Sequence, residues 1–167
     1  EELKENNEKL CVIKPISGIA NFAKGVSYFA SSAIYFNNNI PEAVVIYDPI
    51  KDEMFYAEKN NGAYLNNQRI KVSKKKDIDE CLFAIGENLK KEPDFLSRKS
   101  GCAALDLAYV AAGRYDGYFQ KKLNLWDIAS GMLLVQEAGG VISDININNL
   151  KNINIIASNS NINQEFQ

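Results

Sequence analysis

A mixed α/β fold of layered sheets and helices is what this sequence predicts, on three observations. From Cys11 to Val72 the chain is a succession of short apolar and aromatic segments separated by Asn, Asp, Gly and Pro, the pattern of antiparallel strands. From Cys81 onward, such segments alternate with two stretches of strong helix formers. The 167 residues are enough for one domain, 1–167, with an antiparallel-sheet part over 11–80 and an α/β part over 81–167.

Cys11–Ile16 reads as a short apolar strand ending at Pro15, and Ser17-Gly18 begins a turn. Asn21–Gly25 carries the chain on to Tyr28–Phe36, whose aromatic and small residues suit a buried strand. Asn37-Asn38-Asn39 marks a turn. Ala43–Tyr47 is the next strand, broken by Asp48-Pro49, and Glu53–Glu58 alternates well enough to follow it. Asn60-Asn61-Gly62 gives another turn and Ala63–Leu65 a short strand; Asn66-Asn67 turns tightly into Arg69–Val72. Lys74-Lys75-Lys76 has the composition of a solvated loop, with a phosphate- or nucleic-acid-binding patch as the other reading. Cys81–Ile85 is a strand. The polar stretch Glu87–Lys99, with Pro93, is a connector holding at most one helical turn. Cys102–Ala112 is a helix stopped by Gly113, a natural C′ residue. Ile128–Ala138 is a second helix, with Asp127 as its N-cap and Gly139-Gly140 after it. Val141–Ser143 and Ile153–Ala157 are closing strands.

Composition removes several function classes. There is no histidine, which excludes a Ser-His-Asp triad, a Cys-His pair and a histidine-ligated metal. Cys11, Cys81 and Cys102 are widely spaced with no C-x-x-C pair, so they read as reduced thiols of a cytoplasmic protein. A net charge of −2 gives no reason for non-specific attraction to nucleic acid or anionic membrane. The polar start EELKENNEKL is no signal peptide, and no apolar run approaches the roughly 20 residues of a membrane helix. The first residue is not Met, which implies processing or a longer parent protein.

The chemistry is concentrated in Trp126–Gly140, WDIASGMLLVQEAGG. A carboxylate at a helix start is held by backbone N–H groups, so Asp127 is either a cap or a ligand at an anion-friendly helix end. This segment resembles the second signature of the inositol monophosphatase family, in which that Asp ligates magnesium. Arg98–Gly117, RKSGCAALDLAYVAAGRYDG, resembles the stretch preceding it, especially in the bacterial extragenic-suppressor branch. Asp48–Val72 resembles the family's hairpin region, and Ile155–Ser160 its last strand and turn. The similarity extends from Cys11 to the C-terminus, with the motifs in order. It implies an αβαβα sugar-phosphatase layering, incomplete here on its N-terminal side.

The first signature departs from that pattern. Where the family has Asp-Pro-Ile/Leu-Asp-Gly-Thr followed closely by Asn-Phe, this chain reads Lys14-Pro15-Ile16-Ser17-Gly18-Ile19-Ala20-Asn21-Phe22. By the resemblance, Lys14 and Ser17 replace two metal-binding aspartates. Ile19 replaces the Thr that orients the attacking water. The resemblance also implies substrate contacts at Gly18, Ala103 and Gln120, with Gln120 standing where a Glu is usual. Glu1 and Glu2 could be a remnant of the family's upstream Glu-Glu ligands, although the spacing is short. The Glu87–Lys99 connector is shorter than its family counterpart.

Mg²⁺ wants several anionic oxygens in octahedral array. Lys for Asp changes the local charge by about two units. At roughly 4 Å and an effective dielectric of ~20, each unit pair is worth about 4 kcal/mol, enough to defeat ordinary Mg²⁺ binding. The expected protein is therefore a family member without Mg²⁺-dependent phosphatase activity, its Mg²⁺ site weak or lost and Asp127 vestigial. It would be retained for binding or regulation. The resemblance implies a homodimer and, through the extragenic-suppressor branch, a transcription-antitermination protein partner; nucleic-acid contact stays open. The alternative is an active Mg²⁺-dependent phosphomonoesterase acting on inositol phosphates.

Overall fold

In the computed structural model, which describes residues 9–86, 95–143 and 151–163, the strands sort into two sheets with helices between them. The first sheet is antiparallel and six-stranded, in chain order: β1 Lys9–Ser17, β2 Ala30–Asn37, β3 Ile40–Asp48, β4 Glu53–Glu58, β5 Gly62–Leu65 and β6 Gln68–Ile70. Two-residue turns set its register. Asn38 and Asn39 (φ 50° and 62°) join β2 to β3, and Asn66 and Asn67 (φ 44° and 67°) join β5 to β6. Such turns need positive φ at both central residues, which Asn tolerates.

The second sheet holds β7 Leu82–Ile85, β8 Leu96–Arg98, β9 Gly117–Leu123, β10 Val141–Ile142 and β11 Ile153–Ser158, in the order β10-β11-β9-β7-β8. β7 runs parallel to β8 and β9, and β11 antiparallel to β9 and β10.

Three α-helices, α1 Ile19–Ala23, α2 Ala103–Ala111 and α3 Leu125–Glu137, and a 3-10 turn at Ile78–Glu80 complete the described chain. α3 lies against β3, β4, β5 and α2, and α2 reaches β9 and β11 of the second sheet. One apolar core spans the layers, joining Ile34, Ile46 and Phe55 to Leu105, Leu107, Leu134 and Ile155. The helices cross closely because position 131 is glycine. A Cβ there would sit 2.4 Å from Leu107 Cβ.

The sequence reading needs five corrections. α3 starts at Leu125, and Asn124 is its N-cap; Asp127 stands three residues further on, inside the first turn. The segment after Gly18 is the short helix α1, none of whose residues is buried. Strand β8 occupies Leu96–Arg98, read as connector; the connector's 87–94 portion lies outside the described residues. β9, adjacent to β7 and β11, was not anticipated. The first strand also begins at Lys9, two residues before the boundary at Cys11. Lys74, Lys75 and Lys76 are exposed in a loop, as the solvated reading expects. No helix among the described residues is long and apolar enough to cross a membrane.

Candidate functional site

Strand alternation decides where Lys14 points. β1 is an edge strand whose odd-numbered residues from Lys9 to Pro15 face out, and Ile13 is 67% exposed. Lys14 faces the opposite way, toward the helix layer. There its ammonium donates to Asp127 Oδ1, the two side chains being 23% and 19% exposed. The partner oxygen, Asp127 Oδ2, accepts from the Asn124 backbone N–H (3.3 Å) and from Asn124 Nδ2 (3.2 Å). Both carboxylate oxygens are thus occupied by donors of this chain.

Just beyond Lys14 the β1–β2 pairing slips, resuming at Ser17↔Ala30. Pro15, lacking an N–H, suits the slip, and its carbonyl accepts from Ser31 Oγ at 2.6 Å. The displacement buries Ser17. Its hydroxyl is hydrogen-bonded to the Cys102 thiol, partly offsetting the burial that pushes that thiol's pKa up. Gly18 then takes a left-handed conformation (φ 84°), where a Cβ would lie 3.1 Å from both Cys102 Cβ and the Tyr28 carbonyl oxygen. Only glycine fits this approach. Ile19, which follows, is 66% exposed. Asn21 Nδ2 donates to the Tyr28 and Ser100 carbonyls at 2.8 Å each, tying α1 to the loop before α2.

Beside this cluster lies a buried carboxyl. Asp106 of α2 is almost wholly buried and accepts from Tyr28 Oη (2.9 Å) and Ser100 Oγ. Burial raises its pKa to about 6, against the two hydrogen bonds. Tyr118 on β9 has its phenol pushed up by burial and by the nearby Asp106, Cys102 and Asp127. Its hydroxyl donates to Gln120 Oε1.

Lys14, Ser17, Gly18 and Asp127 are therefore brought to one place, with Ala103 beside Cys102 as the first residue of α2. Gln120 is reached through Tyr118 and packs on Gly86, where a Cβ would fall 1.8 Å from Gln120 Oε1. Glu2 and Glu1 lie outside the described residues. The sequence reading missed Asn124, although Asn followed by an acid three residues later is a helix-start pattern. It also missed the Tyr28–Ser100–Asp106 network, which no local pattern signals.

Among the described residues, no three His, Cys, Asp or Glu side chains gather as a metal ion would require. The donor set at the site does not fit Mg²⁺. Its carboxylate carries a lysine ammonium, and its serine oxygen is buried against a thiol.

The comparisons with known proteins agree with one another. The description "Inositol monophosphatase family" matches residues 1–167. Nus factor SuhB of Escherichia coli K12 is 39% identical over 170 residues, covering 90% of this chain and 63% of that protein. Nus factor SuhB of Pasteurella multocida is 41% identical over 152 residues, covering 81% of this chain and 56% of its own length. Among solved structures, the IMPase of Thermotoga maritima superposes with a TM-score of 0.90 at 34% identity, covering 99% of this chain and 69% of that one. The extragenic suppressor protein suhB of Bartonella henselae gives 0.88 at 36%, covering 98% and 72%. The chain spans about three fifths of the length of the curated relatives it matches. Its layered α/β fold is that of the inositol monophosphatase and extragenic-suppressor structures. The chain belongs to the inositol monophosphatase family.

Proposed function

We propose that this chain is a non-catalytic member of the family, retained as a binding or regulatory protein associated with transcription antitermination. The observation that carries the reading is the Lys14–Asp127 pair. By the family resemblance, Asp127 is a metal ligand and Lys14 stands in place of another. Here the cation that Asp127 faces is internal, the Lys14 ammonium, which cannot activate water or stabilise a phosphoryl transition state as Mg²⁺ does. Ser17 brings no charge, and Ile19 brings no oxygen to orient a nucleophile.

The residues that shape the backbone keep their tasks: Pro15 at the strand slip, Gly18 at the close approach to Cys102, and Asn21 bridging two carbonyls. A scaffold kept while its reactive side chains are replaced fits a role in binding. Similarity to proteins named Nus factor SuhB supports a partner in the transcription machinery.

The test is hydrolysis of inositol 1-phosphate by the purified chain, with and without millimolar Mg²⁺, once circular dichroism has shown it folded. No Mg²⁺-dependent turnover is expected. Turnover abolished by Asp127→Asn would contradict the reading and make the chain an active phosphomonoesterase. For the partner, affinity capture from the protein's own cells should recover a transcription factor or RNA; recovery of neither would refute that half of the reading.

A further inference from the structure

The Lys74-Lys75-Lys76 run lies on the segment 71–77, which carries the chain from β6 of the first sheet toward the second. On the way it crosses the C-terminal ends of α2 and α3. The Val72 backbone N–H donates to the Ala138 carbonyl just past α3 (3.1 Å). Gly113, just past α2, takes φ 68°, and a Cβ there would lie 3.1 Å from the Lys71 carbonyl oxygen. The turn after β11 holds the rest. Asn159 is buried, and its Nδ2 donates to Ser73 Oγ (2.9 Å) and to the Lys75 carbonyl (3.1 Å). Its Oδ1 accepts from the backbone N–H groups of Asn161 and Ile162. Asn161 Nδ2 donates to the Lys74 carbonyl at 3.2 Å. Water can satisfy the carbonyls of an exposed loop; here two asparagine side chains fix them in place instead.

The three lysines of the run divide. Lys75 is tied back, its ammonium donating to the Glu80 carbonyl (2.5 Å) and to Asp116 Oδ2 (3.4 Å). Lys74 and Lys76 are exposed, as is Lys71, and among the described residues no carboxylate pairs with any of these three. From Arg69 to Lys76 five of eight residues are basic and none is acidic. Asp77, Asp79 and Glu80 then close the strip at one end, and Asp77 Oδ1 accepts from the Asp79 N–H at 3.0 Å. Like charges held on an anchored backbone repel one another, and a bound polyanion relieves that repulsion.

We infer that Lys71–Lys76 is a docking strip for the phosphate backbone of a single-stranded nucleic acid. The strip offers charge without apolar surface, since Val72 packs on the core. A stable contact with an acidic protein segment would need buried apolar anchors as well. A phosphodiester chain binds through its charge and the release of counterions. The inference rests on the binding reading of the chain's function, for which it supplies a surface remote from Lys14 and Asp127.

Fluorescence anisotropy of a labelled single-stranded oligouridine of roughly 12 nucleotides, titrated with the folded 167-residue chain at about 50–200 mM salt, tests it. Binding in the range of about 10–100 μM is expected at the lower salt, with log K falling against log salt at a slope of about −2, from three phosphates at ~0.7 each. Lys74→Ser/Lys76→Ser should weaken binding about tenfold at the higher salt and reduce the slope to about −0.7. Lys9→Ser/Lys24→Ser makes the same change in net charge on exposed lysines elsewhere in the chain, and should leave affinity within about twofold. No binding up to roughly 200 μM overturns the inference, as does an equal loss in both variants, because net charge rather than the strip would then be responsible. Displacement of the oligouridine by an oligoglutamate of equal length, as readily as by unlabelled oligouridine, also overturns it and makes the strip a contact for acidic protein. None of these outcomes bears on recovery of a transcription factor by affinity capture, so failure here is distinguishable from failure of the proposed function.

Discussion

At Lys14 a single residue decides the electrostatics of the site. Its ammonium and the Asp127 carboxylate are each mostly withdrawn from water, so removing one partner leaves the other poorly compensated. Lys14→Met should therefore lower unfolding free energy by about 1–3 kcal/mol. In a double-mutant cycle with Asp127→Asn most of that loss should be coupling energy; urea denaturation of the four proteins measures it, and additive effects would mean the pair is idle. Asp106 sets the pH dependence. Its carboxyl titrates near 6 in the fold against an ordinary value of 3.8. The folded state therefore binds a proton more tightly than the unfolded chain. The stabilising contribution of that proton is complete below 3.8 and is lost as pH rises to about 6, about 3 kcal/mol for two units. Asp106→Asn should remove this part of the slope between pH 4 and 6, keep an acceptor for Tyr28 or Ser100, and be at least as stable as wild type at pH 7.5. An unchanged slope would move the titration to another group. The charge change at Lys14 is plain in the sequence. That its ammonium reaches Asp127, 113 positions away, is a tertiary fact that spacing does not reveal.

Among the elements, α3 and the turns of the first sheet were legible for local reasons. Paired asparagines demand positive-φ turns, and Leu, Met, Val and Gln between Asp127 and Gly139 make a helix with a glycine stop. The exact start of α3 was misplaced by three residues because Asp127 has the chemistry of a cap. Its carboxylate instead reaches back from the first turn to the Asn124 backbone N–H. Asn124→Ala should cost about 1 kcal/mol and loosen Asp127, seen as a lower melting temperature. β9 was hidden by its own residues. Gly117 opens it, Lys121 and Lys122 break the alternation, and Lys122 takes φ 58° where the pairing with β11 slips. Its pairing with β7 and β11 overrides the weak local preference, as tertiary context does for strands. Gly131 is legible only in three dimensions. Gly131→Ala adds a methyl 2.4 Å from Leu107 Cβ, so α2 and α3 must part. A loss of about 1–3 kcal/mol is expected, and a neutral effect in urea denaturation would mean the crossing is looser than described.

Across the whole molecule, two sheets and the helix layer between them share one core, and the site lies where β1 of one sheet meets the starts of α2 and α3. That placement brings a lysine of an edge strand onto a helix-borne carboxylate. The backbone shape there depends on Pro15 at the strand slip, Gly18 at the close approach to Cys102 and Asn21 bridging two carbonyls, and not on the side chains at positions 14 and 19. The motif order was enough to reach the family from the sequence, while the anchoring of the lysine run by Asp116 and Asn159 became visible only in the tertiary contacts. The central claim is that an internal ammonium has taken the place of the magnesium ion. Isothermal titration of Mg²⁺ into the folded wild-type chain, beside the Lys14→Asp/Ser17→Asp/Ile19→Thr variant, tests it most directly. The account predicts no saturable heat for wild type up to roughly 10 mM and binding at least about tenfold tighter in the variant, since each restored carboxylate contributes a favourable charge pair. Saturable wild-type binding in the sub-millimolar range, competing with nothing at Lys14, would contradict it.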